Sequence, residues 1–123
     1  MSENEVSKQE NEDLSLLEKS LKSRRILLSE DVNSKSAKKV IDRLFLLETE
    51  NSDKPIYFFI NSPGGEVNSG LAIYDVMEFI KCPVYTIGCG LVASIAAIIH
   101  LQPQKEMRLS LPHAEYLLHQ PLG

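Results

Sequence analysis

The stretch Pro55–Gly90, "PIYFFINSPGGEVNSGLAIYDVMEFIKCPVYTIGCG", decides the fold. It opens on a continuous apolar and aromatic run, Ile56 to Ile60, bounded by Pro55 and by Pro63-Gly64-Gly65. A short run of that kind predicts a central strand covered on both faces. "VNSGLAIYDVMEFIK" follows, with Leu71, Tyr74, Met77 and Phe79–Ile80 apolar and Asp75, Glu78 and Lys81 polar. That spacing predicts a helix, and Pro83 stops it. "VYTIGCG" then reads as a second buried strand. The Gly pair exceeds what a plain connection needs. Adjacent glycines predict backbone bent close to a neighbour, or N–H groups left free to point at something.

Reading outward keeps the same rhythm. Upstream, "SAKKVIDRLFLLETE" sets Val40, Ile41, Leu44, Phe45 and Leu47 on one helical face, with Asn33 or Ser34 as its cap. "RRILLSEDV" supplies a short strand at Ile26–Leu28, and "LSLLEKSLKS" a short amphipathic helix through Leu14, Leu17 and Leu21. Downstream, "LVASIAAIIH" reads as a small apolar helix, and "MRLSLP" and "EYLLHQ" as two further strands. Strands alternating with helices predict an α/β fold with a largely parallel sheet.

Composition narrows the function classes. Residues 1–13 hold five acids (Glu3, Glu5, Glu10, Glu12, Asp13) and one base (Lys8), a net of −4, which equals the formal charge of the whole chain. The expected organisation is therefore an acidic flexible tail at 1–13 and one balanced α/β domain at 14–123. A balanced body carries no electrostatic footprint for nucleic acid. No apolar run reaches the roughly 18 residues of a membrane span, and the polar N-terminus does not read as a signal peptide. Cys82 and Cys89 match no zinc or redox spacing and read as free thiols of a cytoplasmic protein. No metal site or cofactor is expected.

The chemistry is concentrated in "IGCGLVASIAAIIH". Ser94 falls at or near the start of a helix that follows a buried strand. Its hydroxyl would sit beside N–H groups without intrahelical partners, which can donate to an oxyanion. A nucleophile elbow has the same logic, although "GLVAS" is not G-x-S-x-G. The other reading is a helix cap beside alanines chosen for tight packing. A serine nucleophile needs a base, and the candidates are His100, His113 and His119. His119 ends an apolar run, where parallel-sheet sites form. Gly64 and Gly65 follow one strand and Ser94 the next, so the segments can meet at one end of the sheet, about 5 Å being the spacing of adjacent strands.

Taken together, "YFFINSPGGEVNSGLAIYDVMEFIKCPVYTIGCGLVAS" and "LPHAEYLLHQPLG" resemble the Clp protease proteolytic subunit, a family of serine peptidases. The resemblance covers roughly residues 24–123, and the separation of Ser94 from His119 agrees with it. It implies a ClpP/crotonase-like fold of stacked ββα units. It makes Ser94 the nucleophile, His119 the general base, and Gly65 and Ile95 the donors of the oxyanion hole. It makes Tyr57, Phe59 and Phe79 part of an apolar surface that receives loops of a hexameric AAA+ unfoldase. It implies unfolded polypeptides as substrates and assembly in heptameric rings.

Leu91 and Val92 stand where the family usually carries methionine and alanine. No residue here matches the triad aspartate or the handle helix of the family, which would lie beyond Gly123, and Asp42, Asp53 and Asp75 fall on other elements. The alternative is a ring subunit with no activity of its own. A crotonase-like acyl-CoA enzyme shares the oxyanion geometry but needs no Ser–His pair.

Overall fold

The computed structural model describes residues 2–118. Nine elements run in the order α1 (Glu3–Ser23), β1 (Arg25–Leu28), α2 (Ser34–Glu50), β2 (Ile56–Ser62), α3 (Val67–Phe79), β3 (Val84–Ala93), α4 (Ile95–His100), β4 (Arg108–Ser110) and β5 (Glu115–Leu117), with one 3-10 turn at Lys105–Met107. All strand pairs are parallel, in the order β1-β2-β3-β4, and β5 also pairs with β3. The expected α/β fold with a parallel sheet is what the chain adopts.

Local chemistry explains the boundaries. Asn33 caps α2 through a reciprocal pair, in which Ser36 N–H donates to Asn33 Oδ1 and Asn33 N–H to Ser36 Oγ, both at 2.9 Å. α2 then buries Ala37, Val40, Leu44 and Leu47, while Phe45 stays exposed. α3 buries Gly70, Ile73 and Met77, leaving Leu71 and Phe79 outside. These residues close over Ile26, Leu28, Phe58 and Ile60 to form one core.

β2 departs from the expected double cover. Ile56, Phe58, Ile60 and Ser62 are buried, whereas Tyr57 is exposed and Phe59 half-buried. Thr86 on β3 shares a register line with Ile26 and Phe58, and its hydroxyl donates to the carbonyl of His100 at 2.8 Å, so α4 lies on the same face as the core. Among the described residues, none of the helices α2–α4 covers the other face of the strands. Tyr57 stacks there on Tyr85 with ring centroids 5.5 Å apart.

Two boundaries also move. Leu91–Ala93 extend β3 and do not start a helix, because they pair in register with β5. The first helix begins at Glu3, well before Leu14, because Ser2 and Glu5 form a capping box. Acids in its first turn favour the positive end of the helix dipole. None of its residues is buried.

At the end of α1, Arg24 takes a left-handed conformation with φ of 60° and is itself buried. Its guanidinium donates to the carbonyls of Leu47, Asn51, Lys54 and Pro55 at 2.9–3.2 Å, and to Cys82 Sγ at 3.4 Å. A buried cation thus finds its partners in carbonyl dipoles, including those at the C-terminal end of α2.

Candidate active site

The site lies where β2 and β3 end. Ser62 is fully buried, and its hydroxyl accepts from the N–H of Gly64 at 3.1 Å, which folds Pro63 and the glycines back over the strand end. Val32 pairs with this turn as an isolated parallel bridge, its N–H donating to Gly64 O and its carbonyl accepting from Glu66 N–H, both at 2.8 Å. In a parallel ladder the residue between two such partners turns its own N–H and C=O the other way. Val32 continues the chain beyond β1, and β2 lies between β1 and β3, so Gly65 N–H faces the side of β3 and Ser94. Gly64 and Gly65 have φ of 99° and 149°. A side chain at Gly65 would run into the Val32 backbone, and one at Gly64 would come within 2.8 Å of Ala93 O and Ser94 Cβ. The glycine pair is therefore fixed by close approach on both sides.

Ser94 occupies the strand-to-helix turn with φ 56° and ψ −128°. That backbone is rare for a residue with a side chain and costs on the order of 1–3 kcal/mol, which the surroundings must offset. One restraint is visible, since Ser94 N–H donates to Leu117 O at 2.7 Å. The Ser94 hydroxyl is half-buried and has no hydrogen-bond partner among the described residues. Ile95 N–H opens α4 and lies close to Gly64. The geometry brings Gly64 against Ser94 and the N–H of Ile95, with Gly65 next in the chain. Such an arrangement can hold negative charge developing on an oxygen attacked by that hydroxyl.

The histidines separate. His119 lies outside the described residues. His100 is buried on α4, its ring 5.3 Å from that of Tyr116, and its Nδ1 has no partner among the described residues. Burial, and secondarily the Arg108 guanidinium, holds its imidazole below the ordinary histidine range. His113 is exposed in the turn between β4 and β5. Both cysteines are free thiols. Burial raises both pKa values, at Cys82 against the opposing pull of Arg24.

The three residues assigned to partner docking also divide. Tyr57 and Phe59 line a groove of about 540 Å³ on the open sheet face, together with Arg25, Ile87, Leu109 and Leu111. Phe79 is not in its lining; it stands at the end of α3, 78% exposed. Sequence reading missed Ser62 and Val32, which position the glycine pair. A Ser two residues before a Gly is a recognised turn signal, whereas the Val32 bridge is non-local and leaves none.

The Clp protease family model matches residues 7–123. The chain belongs to the Clp protease family. It is 48% identical over 113 residues to the ATP-dependent Clp protease proteolytic subunit 2 of Treponema denticola, covering 92% of this chain and 56% of that protein. It is 46% identical over 106 residues to the subunit of the same name from Treponema pallidum, covering 86% and 53%. The chain thus spans about half the length of the curated relatives it matches. Among solved structures, the ClpP protease catalytic domain from Plasmodium falciparum superposes with a TM-score of 0.77 at 41% identity, covering 80% of this chain and 56% of that one. A ClpP1 point mutant from Listeria monocytogenes gives 0.82 at 42% identity, covering 88% and 63%. Both matches bear out the expected ClpP-like fold, and the family is one of proteases.

Proposed function

We propose that the chain carries the nucleophile and base of an ATP-dependent Clp protease proteolytic subunit, a serine endopeptidase of the cytoplasm. The observation that supports it best is the close approach of Ser94, in its strained turn, to Gly64 of the glycine pair. In this reading Ser94 Oγ attacks the peptide carbonyl and His119 takes its proton, later passing it to the leaving amine. The N–H groups of Gly65 and Ile95 hold the oxyanion. The assignment of His119 draws support from the family match and from Leu117, which hydrogen-bonds Ser94 only two residues upstream. Substrates are unfolded polypeptides delivered by a hexameric AAA+ unfoldase, and the subunits form heptameric rings. The groove at Tyr57 and Phe59 receives apolar loops of the unfoldase, with Phe79 at its approach.

A fluorophosphonate probe tests the nucleophile directly. Residues 1–123 tested alone take the label slowly, because the triad aspartate that the resemblance implies is not among them and losing that role costs around 10⁴ in kcat. Labelling is abolished by Ser94→Ala and further slowed by His119→Ala. Labelling that survives Ser94→Ala overturns the assignment. A chain that takes no label at all removes the support for Ser94 as a nucleophile.

A further inference from the structure

Between Ile60 and Ser62, β2 advances by two residues while β3 advances by four, because Ile60 pairs with Gly88 and Ser62 with Val92. The excess forms a bulge at Cys89-Gly90-Leu91, opposite Asn61. The bulge also divides the far edge of β3, which pairs with β4 up to Gly88 and with β5 from Leu91 onward. Everything that fixes Ser94 follows it: the Leu91–Ala93 pairing, the bond from Ser94 N–H to Leu117 O, and the contact with Gly64. A bulge re-aims the strand that carries it.

One side chain spans the bulge. Asn61 Oδ1 accepts from Leu91 N–H at 3.0 Å, and Asn61 Nδ2 donates to Ser29 Oγ at 3.1 Å. The carboxamide lies against Gly90, whose φ is 64°; a Cβ there would fall 2.5 Å from Asn61 Oδ1. The contacts are therefore specific to an acceptor at Oδ1, a glycine facing it, and a hydroxyl behind it.

We propose that Asn61 is a positioning residue for Ser94, an inference that rests on the reading of Ser94 as nucleophile. Its carboxamide replaces the ladder hydrogen bond that the bulge removes. It fixes the number of residues in the bulge, and so fixes where β3 turns into α4. Asn61 does not touch the reacting atoms. Its effect is transmitted through Leu91, Val92 and Ala93.

The test uses the full chain with three variants. Asn61→Leu keeps the approximate shape and removes both hydrogen bonds. Asn61→Asp keeps the acceptor, and the Ser29 hydroxyl can turn to donate to its second oxygen. Ser29→Ala removes only the outer support and serves if Asn61→Leu does not fold. Amide hydrogen exchange is read at Leu91 and Ser94, with Leu44 and Ile73 as core controls, beside the fluorophosphonate labelling rate. In Asn61→Leu we expect exchange at Leu91 and Ser94 to rise by about tenfold or more, labelling to fall by a similar factor, and the controls to hold. Asn61→Asp restores both readouts to within a few-fold of the parent chain, and Ser29→Ala gives a smaller change of the same sign. Faster exchange at Leu91 with unchanged exchange and labelling at Ser94 overturns the proposal, because Asn61 would then only staple the bulge. A parent chain that takes no label while Ser94 exchange still responds supports the positioning and removes the nucleophile reading instead.

Discussion

The two faces of the sheet are built from the same strands and are almost equally apolar, yet among the described residues only one is covered by helices α2–α4. On one face Ile26, Phe58 and Ile60 are at most 1% exposed beneath α2, α3 and α4. On the other, Tyr57, Phe59 and Leu109 line an open groove. Alternation along a strand makes the comparison direct, since Phe58 and Phe59 differ by one residue and by face alone. An aromatic in the core and an aromatic in the groove look alike in composition but contribute differently: the first holds the fold, and the second is available to a partner.

The largest predicted effect lies on the covered face. Phe58→Ala should destabilise by about 3–5 kcal/mol, read from the urea midpoint. A loss below about 1 kcal/mol would break the distinction between the faces. Next comes the imidazole of α4. The unfolded chain takes up a proton at His100 near the ordinary histidine range, about pH 6.5, while burial and Arg108 hold the folded value lower. Between those values the unfolded state binds more protons, so stability is full above the window, falls as pH drops through it, and levels off below the folded value. Melting temperatures from pH 7.5 downward should fall more steeply for the parent chain than for His100→Leu. Equal slopes would remove His100 from the acid response.

On the open face, Tyr57→Ala and Phe59→Ala should each cost about 1 kcal/mol or less; under the proposed function they should also abolish unfoldase-dependent degradation of a protein substrate. Stability losses as large as that of Phe58→Ala would show that the groove is part of the core. The smallest effect belongs to the first half of α1, since the helix meets the core only near its C-terminal end, at Leu21. Deleting residues 1–13 should change stability by no more than about 0.5 kcal/mol in thermal unfolding.

Local patterns carried β1, α2, β2 and α3, because each has a clear apolar period and a recognisable stop such as Pro83 or the glycine pair. The covering of β2 was not legible. Tyr57 and Phe59 are as apolar as the residues beside them, and nothing in a strand states which face its own helices will take. The start of α4 was equally hidden: "LVA" suits helix or strand, and its pairing with β5, far along the chain, decides. The start of α1 rests on Ser2 and Glu5, whose capping box is overshadowed by the acidic composition around it. At the candidate site, the approach of Gly64 to Ser94 was legible from strand order. The bulge that aims Ser94 was not, since it arises from a register shift between strands.

Strand order in the sheet repeats strand order in the chain from β1 through β4. For a chain emerging from a ribosome, each new strand can therefore join the growing edge without parting two strands already joined. Arg24 ties β1 to segments made later. Its carbonyl partners lie at Leu47 to Pro55 and its sulfur partner at Cys82, so the guanidinium must wait in water until those segments have been synthesised. Burial of the Arg24 charge therefore depends on a continuous stretch that runs to Cys82 and takes in α2, β2 and α3.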